Sequence, residues 1–468
     1  MAAAKKEKVQ ENREVIQVKT RTKKRTGTLV LAMLLAVLAG CGSNNGANSG
    51  SENANASAPA SSSTPDSGKK VTLTMMVSGT KAPDGQDFAL DIMPKLVQDK
   101  FPNVTLETSK LPDEQYFTSI RTKLASGKGP DIFWVFPRNA SLGVLDMAKA
   151  GYAADLSDLT FWDKISQGAK EDMSYEGKPY GIAGGLDYLG VYYNKELFTQ
   201  AGITEMPQDW PAFLEACQKL KDAGITPISL ADKDPWFLQF GMYQIAANEV
   251  YPDEMDFDTK LQAGEKSLTD PKWVDTISKM KELYDKGFVI KNSLGLGSAQ
   301  AAQQFVDGKA AMIFDGTWDY ATMTAKGAAE FTRGFFSLPA NEPGQPTYVS
   351  AATAAGFALN AKSENLDIAK QVMNYLFDGQ SDLFKAWTES NSSISVFEGV
   401  PLNHELFKEV NDSYLNEGKS VYFPNQMWPT GVAEEMEAKF AEIIGGRKTT
   451  PEQVTEAMDA KFKELWKK

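Results

Sequence analysis

The sequence predicts an α/β fold, and two observations lead to that prediction. Segments with β-strand character alternate with segments whose apolar residues recur at helical spacing, over most of the chain. Such alternation is typical of sheets covered by helices, so a largely parallel sheet is expected. The chain has 468 residues, and 428 of them follow residue 40. A chain of this length can bury a large core and usually folds into more than one lobe.

The first 40 residues have the pattern of an export signal. Basic residues between Lys19 and Arg25 precede an apolar run of 11 residues at 29–39. A bilayer span needs about 20 apolar residues, so this run is too short to cross a membrane. The letters LAGC that end at Cys41 resemble the lipobox of bacterial lipoproteins. That resemblance implies a signal peptide at 1–40 and a lipid on Cys41, whereas the alternative is an ordinary secretory signal with an incidental cysteine.

The charge of the chain argues against two classes of partner. The net charge is −12, and removal of nine Lys and Arg and three Glu with residues 1–40 would bring it to about −18. A strongly acidic chain is repelled by nucleic acid and by an anionic membrane surface. We therefore expect no nucleic-acid partner, and we expect lipid rather than a basic patch to provide the membrane anchor.

A tether is predicted at residues 41–70. Residues 42–68 are rich in Ser, Asn, Ala and Gly and lack aromatic and long aliphatic side chains, so they cannot fold by burial. The folded body begins with the alternating strand VTLTMMV at 71–77.

The elements of the folded body follow from periodicity and from capping residues. Asp209 and Pro211 mark a helix start, and Gly224 marks the end of that helix. Further strands are predicted in FPNVTLET, IFWV, VYYN, ITPISLA, AAMIF and GFALN. Further helices are predicted at residues 88–98 and in PDEQYFTSIRTKLA, KELFTQAG, WVDTISKMKELYDKG, SAQAAQQFV, LDIAKQVMNYLF and GVAEEMEAKFAEII.

Catalysis and metal binding have little support in the sequence. His404 is the single histidine and is expected at the surface or at a cap, so no Ser/His/Asp set is available. No metal-ligand or phosphate-loop motif is present, and no cofactor or metal is expected. Cys217 lies in a helical pattern and is expected to be a small buried hydrophobe. The protein is therefore not expected to be an enzyme, although two of its 61 Asp and Glu residues could serve a glycosidase.

Several of the nine tryptophans stand next to Asp, Gly or Pro, where a loop leaves a strand. An indole can cover the apolar face of a sugar while a neighbouring carboxylate accepts its hydroxyl hydrogen bonds. The alternative is that these side chains close the core at loop ends. The tryptophans in question are Trp236, Trp318 and Trp428, and Trp134, which follows the strand opening at Asp131, is considered with them.

Three segments together resemble one family: the extracellular solute-binding proteins of ABC importers, in particular their maltose-binding-like, sugar-binding group. The segments are GKPYGIAGGLDYLGVYYNKELFTQAGI at 177–203, AAQQFVDGKAAMIFDGTW at 301–318 and FPNQMWPTGVAEEMEAKFAEIIGGRKTTPEQVTEAM at 423–458. With PDIFW at 130–134, the resemblance covers essentially all of residues 71–468.

The resemblance implies a two-lobed, type II periplasmic-binding-protein-like α/β fold with a ligand cleft and a hinge. One lobe would contain residues 71–183 and 356–400, and the other would contain 190–350 and 405–468. The implied function is a lipid-anchored receptor on the outer face of the cell membrane. It would be a monomer that delivers a carbohydrate ligand to the permease subunits of an ABC importer.

The resemblance also implies the residues that bind the ligand. They are Trp134, Asp187, Asp234, Trp236, Trp318, Trp428 and the loop residues Ser78 and Gly79. The chain departs from the maltose binders at Arg138, because that neighbourhood carries an acidic residue in them. The identity of the sugar is therefore left open, and an acidic or differently linked saccharide is among the candidates. A receptor for a non-sugar solute and an extracellular glycan-degrading enzyme remain as alternative functions.

Overall fold

The computed structural model describes residues 69–79, 86–138, 142–402 and 404–466. The predicted signal peptide, Cys41 and the tether as far as residue 68 lie outside the described residues.

The strands agree with the predicted ones in order and position and add several short ones. They are β1 (Val71–Ser78), β2 (Val104–Leu111), β3 (Ile132–Val135), β4 (Ser174–Tyr175), β5 (Lys178–Pro179), β6 (Ile182–Ala183), β7 (Leu186–Asn194), β8 (Thr226–Ser229), β9 (Ala310–Gly316), β10 (Arg333–Phe336), β11 (Val349–Thr353), β12 (Gly356–Leu359) and β13 (Ser420–Tyr422).

The predicted helices are also present. They are α1 (Met93–Lys100), α2 (Asp113–Ala125), α3 (Val144–Lys149), α4 (Gln167–Asp172), α5 (Lys195–Gln200), α6 (Trp210–Asp222), α7 (Leu238–Glu249), α8 (Phe257–Ala263), α9 (Pro271–Asp285), α10 (Ser298–Val306), α11 (Tyr320–Met323), α12 (Leu366–Leu376), α13 (Asp382–Ser390), α14 (Lys408–Val410), α15 (Val432–Ile444) and α16 (Pro451–Leu465). A wider turn at Phe88–Ile92 leads into α1.

Local sequence signals explain where α6 begins and what it buries. The Oδ1 atom of Asp209 accepts a hydrogen bond of 2.9 Å from the backbone N–H of Ala212, which confirms the predicted N-cap. Gly224 follows the helix with φ of +74°, a left-handed conformation that glycine adopts without strain. Cys217 is buried in the same helix as a free thiol, as predicted.

Two main sheets organise the chain. The first has the strand order β2-β1-β3-β12-β6, and the second has the order β13-β11-β7-β9-β8 with β10 also paired to β7. Parallel pairs such as β1/β2 and β8/β9 occur in both sheets. The expectation of a largely parallel sheet is nevertheless wrong. The chain reaches β12 of the first sheet from the second sheet, and it reaches β7 of the second sheet from the first. Both strands run antiparallel to their neighbours, so both sheets are mixed.

Each sheet has its own hydrophobic core. The first core includes Leu73, Ile132 and Phe357, and the second includes Tyr192 and Phe314. We call the first sheet with its core the first lobe, and the second sheet with its core the second lobe. First-lobe strands come from residues 71–183 and 356–359, and second-lobe strands come from 186–353 and 420–422. The two-lobed α/β fold is therefore confirmed, while the exact lobe boundaries given above stay a prediction.

The chain crosses between the lobes at places that contact one another. Between β6 and β7 the N–H of Gly184 donates to the carbonyl of Ala355, at 3.1 Å. Between β11 and β12 the N–H of Ala354 donates to the carbonyl of Gly185, at 2.8 Å. The backbones approach so closely that a Cβ atom on Gly356 would lie 1.8 Å from the carbonyl oxygen of Ile182. Two crossings thus form a single hydrogen-bonded unit.

We predict that Gly356→Ala destabilises the fold. The new methyl group would collide with backbone atoms, which cannot move aside as a flexible side chain can. Overpacking of this kind costs about 1–3 kcal/mol or more. The measurement is the free energy of unfolding in urea. The matched control is Gly379→Ala, where a Cβ meets no atom within 4 Å, and its stability should remain close to that of the parent. Equal stabilities of the two variants would contradict the close approach.

Candidate ligand-binding cleft

Trp318 lies at the end of a buried strand and is accessible to solvent. All seven residues of β9 are buried, and the chain then turns at Thr317. A Cβ atom on Gly316 would lie 2.1 Å from the Trp318 ring, so the indole folds back over this glycine. The Trp318 side chain is still 37% exposed, and it is the one aromatic residue among the exposed large hydrophobic side chains of the described residues.

Neighbouring aromatic rings support this indole. Phe240 packs edge-on against Trp318 with ring centroids 5.2 Å apart, and Phe423 lies 6.4 Å from it. Trp236 contacts the same Phe240 ring at 5.6 Å. Edge-to-face contacts hold each ring at a defined tilt. The structure therefore brings the predicted residues Trp236 and Trp318 together on either side of Phe240.

Two carboxyl groups flank the Trp318 turn. Asp315 is the last residue but one of β9, and Asp319 directly follows Trp318. Burial raises the pKa of both groups, and the charge of Asp319 raises the pKa of Asp315 further. Two carboxyl groups in such a setting tend to hold a proton, which makes them both donors and acceptors of hydrogen bonds.

A carboxyl group of the first lobe faces this region. Asp113 begins α2, and its carboxylate accepts a short hydrogen bond from the hydroxyl of Ser78 at the end of β1. Burial raises the pKa of Asp113, and the negative charge of Asp234 raises it further. The charge of Asp113 in turn raises the pKa of Asp319. The charge of Asp113 therefore interacts with those of two second-lobe carboxyl groups, and we take these three residues as the candidate cleft between the lobes.

The loop after β1 joins this arrangement. Gly79 has φ of +114°, and its N–H donates to the carbonyl of Leu111 at 2.9 Å. A Cβ atom on Gly79 would lie 3.2 Å from the Lys110 side chain. Ser78 and Gly79 thus lie beside Asp113 and Lys110, and their predicted contact with a ligand stays a prediction.

Asp234 has a structural partner inside its own lobe. Its Oδ2 atom accepts a hydrogen bond of 2.7 Å from the N–H of Ser298, at the first residue of α10. A carboxylate at a helix N-terminus is stabilised by the helix dipole. One oxygen of Asp234 is therefore occupied by the helix, and its predicted contact with a ligand stays a prediction.

Trp134 has a different setting on the first lobe. Its ring packs edge-on against Phe357 at 4.9 Å and near Trp387 at 6.5 Å. Trp387 also approaches the crossing, because a Cβ on Gly184 would lie 3.7 Å from it. Sequence reasoning missed Trp387 because it lies within a helical segment, where loop-end signals are absent.

Asp187 is buried beside the first crossing. Its Oδ1 atom accepts a hydrogen bond of 2.9 Å from the hydroxyl of Thr317, which directly precedes Trp318. Burial raises the pKa of Asp187 to about 6, although a hydrogen bond from Ser393 opposes this rise. The side chain is 8% exposed, so it connects the crossing to the Trp318 turn. Its predicted direct contact with ligand remains untested.

The prediction that Trp428 is a ligand platform is wrong. The Trp428 side chain has no exposed surface and lies in the second core, 5.2 Å from the ring of Trp273. Its Nε1–H donates to Asp258 at 2.9 Å. The buried carboxylate holds the indole nitrogen, so neither face of the ring can reach a ligand. The sequence around Trp428 resembles that around Trp318, and only tertiary packing separates the two.

His404 is half-buried and occupies the predicted capping position, before the short 3-10 helix Glu405–Phe407, although its side chain makes no capping hydrogen bond. Its ring stacks on Tyr320 with centroids 4.0 Å apart. Burial lowers its pKa, so the neutral form dominates at physiological pH. The described residues contain no group of three or more His, Cys, Asp or Glu side chains that could hold a metal ion. In the same part of the chain, no helix is both long and apolar enough to span a membrane.

Residues 89–378 match the family of bacterial extracellular solute-binding proteins, and the chain belongs to this family. The solved structure of a chitin oligosaccharide binding protein superimposes with a TM-score of 0.73 at 24% sequence identity, covering 85% of this chain and 99% of that one. This likeness confirms the fold of the type II solute-binding proteins.

Two relatives illustrate the family. The multiple sugar-binding protein of Streptococcus mutans is 23% identical over 278 residues, which is 59% of this chain and 64% of that protein. The diacetylchitobiose binding protein of Streptomyces coelicolor is 25% identical over 326 residues, 66% of this chain and 71% of that protein. The match thus spans slightly less than two thirds of the streptococcal protein's own length. Family and relatives are binding proteins rather than enzymes.

We predict that Asp187→Asn changes how stability depends on pH. In the fold, Asp187 keeps its proton up to about pH 6, whereas in the unfolded chain it loses the proton near 3.8. The parent therefore loses stability as the pH rises from about 4 to 6, whereas the Asp187→Asn variant, whose amide does not titrate, does not. Relative to the parent, the variant should gain about 1–3 kcal/mol in the free energy of unfolding between about pH 4 and 7.

The matched control is Asp155→Asn. Hydrogen bonds, first from Lys178, lower the pKa of Asp155 to about 2. Titration of Asp155 therefore changes the stability of the parent mainly below pH 3.8. The stability difference between this variant and the parent should stay constant from about pH 4 to 7. A constant difference for Asp187→Asn as well would mean that Asp187 is ionised in the fold.

Proposed function

We propose that this protein is an extracytoplasmic receptor for a mono- or oligosaccharide, which it delivers to the permease subunits of an ABC importer. The ligand binds between the two lobes and stabilises their closed arrangement more than the open one. Cys41 carries a lipid that anchors the monomeric protein to the outer face of the cell membrane, and the tether connects anchor and folded body.

One observation carries the carbohydrate proposal. The accessible Trp318 ring lies over Gly316 and is followed directly by Asp319, whose pKa is raised by burial and also by the charge of the first-lobe Asp113. A sugar has apolar C–H faces and a rim of hydroxyl groups. An indole covers the first, and carboxyl groups bind the second. Binding of sugars by the related proteins supports the same ligand class.

Binding without turnover is the expected chemistry. A glycosidase needs two carboxyl groups on opposite sides of a scissile bond, one protonated and one ionised. Asp113 and Asp319 are carboxyl groups of opposite lobes with raised pKa values, so an enzyme is the alternative that the test must distinguish. The family supports binding as the function.

The test is thermal unfolding of the protein against a panel of saccharides, with calorimetry for each hit. The panel contains chitin-derived, galactose-containing and glucose-containing oligosaccharides and their monosaccharides. A ligand at 100 times its Kd adds about 2.7 kcal/mol to the free energy of unfolding. Stabilisation without ligand consumption supports the proposal. Stabilisation by non-sugar solutes alone would favour another kind of receptor, and release of reducing sugar would indicate an enzyme.

We predict that Trp318→Ala weakens binding of the stabilising saccharide while the fold remains intact. Covering about 60 Å² of indole face contributes about 1.5 kcal/mol, and a loss of that size lowers affinity about tenfold. Isothermal calorimetry measures the affinity, and near-ultraviolet circular dichroism checks the fold.

The control is Leu465→Ala, because Leu465 is as exposed as Trp318 but belongs to α16. It should bind like the parent. Gly316→Ala is a second variant: its methyl group would displace the indole, so it should lose affinity although Trp318 is still present. Parental affinity in both Trp318→Ala and Gly316→Ala would contradict the proposed platform.

We predict that Cys41→Ala moves the protein from the membrane fraction to the soluble fraction of cells. Without the thiol no lipid can be attached, and after removal of residues 1–40 the net charge of about −18 gives no attraction to an anionic membrane surface. Fractionation and immunoblotting measure the distribution. Cys217→Ala is the control and should stay with the membrane, since that thiol is buried in the second lobe. Retention at the membrane of a Cys41→Ala protein from which residues 1–40 have been cleaved would rule out the lipid anchor.

A further inference from the structure

Arg138 lies where the chain departs from the maltose binders, and the structure shows how its side chain is used. Its Nε and Nη2 atoms lie 2.6 Å from the Oδ1 atom of Asp172. The backbone N–H of Arg138 also donates to the carbonyl of Asp172, at 2.9 Å. Arg138 adopts φ of +48°, a conformation that costs a non-glycine residue free energy and is held here by these contacts. The guanidinium is therefore already paired within the protein.

The second oxygen of Asp172 contacts the other lobe. Its Oδ2 atom accepts hydrogen bonds from the hydroxyl of Tyr422, at 2.6 Å, and from the hydroxyl of Thr353, at 2.5 Å. Asp172 ends α4 and is 3% exposed. Bonds to an ionised acceptor that is shielded from water are among the stronger hydrogen bonds in proteins.

Arg138 touches the other lobe as well. Its guanidinium carbon lies 5.0 Å from the centre of the Tyr422 ring, and Nη1 lies 3.8 Å from the Sδ atom of Met427. A guanidinium over an aromatic face is attracted by the ring electrons. One oxygen of a buried carboxylate thus connects the lobes, and the arginine paired with its other oxygen contacts the second lobe through Tyr422 and Met427.

The connected residues belong to elements that would separate if the cleft opened at this edge. Arg138 follows β3 and Asp172 ends α4, and both elements pack on the first core. Tyr422 ends β13, and Met427 lies beyond it in the second lobe. Thr353 ends β11, next to the crossing. Opening at this edge would therefore break the bonds of Asp172 to Tyr422 and Thr353.

We propose that Asp172, Arg138, Tyr422 and Thr353 form an interlobe latch that stabilises the closed arrangement before any ligand is bound. The latch contributes to ligand affinity without touching the ligand. A binding-competent state that is already populated raises the apparent affinity in proportion to its population. It also removes Arg138 from ligand recognition, so the departure at this position adjusts the hinge equilibrium and does not signal an acidic sugar.

The test measures the distance between the lobes in the ligand-free protein, so its outcome does not depend on the proposed ligand. Spin labels are attached at Lys123→Cys in the first lobe and Lys326→Cys in the second, both at exposed positions. The full chain in detergent carries Cys41→Ser, and Cys217 is buried. Pulsed electron–electron resonance then gives the distance distribution. The parent should show a main population at the short, closed distance.

Tyr422→Phe removes one latch hydrogen bond and keeps the ring. The ratio of closed to open molecules should fall about tenfold, because a hydrogen bond to a charged group is lost. Thr353→Val, which removes the other hydroxyl, should shift the ratio in the same direction. Tyr193→Phe is the matched control, since Tyr193 packs on Phe336 within the second lobe, and it should leave the distribution unchanged.

Near-ultraviolet circular dichroism establishes that each variant is folded. A larger open population in Tyr422→Phe and Thr353→Val, but not in Tyr193→Phe, supports the latch. The proposal is overturned if the parent is already mainly open, or if the folded Tyr422→Phe and Thr353→Val variants keep the parental distribution.

Discussion

The rest of the structure depends on the contact between the chain crossings. Gly184 and Gly185, on the way out of the first lobe, exchange backbone hydrogen bonds with Ala355 and Ala354, on the way back. The side chain of Asn391 adds a bond of 2.6 Å to the carbonyl of Gly184. Only residues without bulk at these positions allow the backbones to approach so closely. The two lobes are therefore joined over a small, hydrogen-bonded area, which permits rotation about that area while it resists separation.

This junction also determines where the candidate site lies. Asp187 is the second residue of β7, immediately after a crossing, and it binds Thr317 next to Trp318. A buried carboxyl group must satisfy its hydrogen bonds inside the protein, and Thr317 supplies one of them. The direction of the Trp318 turn is thereby tied to the hinge. A movement of the crossing is transmitted to the indole through one side-chain contact rather than through a flexible loop.

Periodicity and caps are local signals, so they predicted many of the elements and the α/β class, but not the mixed direction of the strands in the sheets. The strand predicted from IFWV is β3, and Asp209 caps α6 as expected. The residues of the candidate site could be predicted from the sequence only in part. Trp318 and Trp428 have the same kind of local sequence, yet one lies at the surface and the other is held in the core by Asp258. Asp113 was missed because its closeness to Asp234, far away along the chain, arises from tertiary structure alone.

The charges of the cleft and of the latch act in opposite directions on closure. In this structure burial raises the pKa of Asp113, and repulsion from the charge of Asp234 raises it further. Hydroxyl donors of the proposed ligand would relieve this repulsion, whereas an anionic ligand would increase it. In the proposed latch, the hydrogen bonds from Tyr422 and Thr353 to Asp172 would offset part of this cost from a position outside the site. Ligand selection and the closing equilibrium are thus assigned to separate residues, so either can change in sequence without the other.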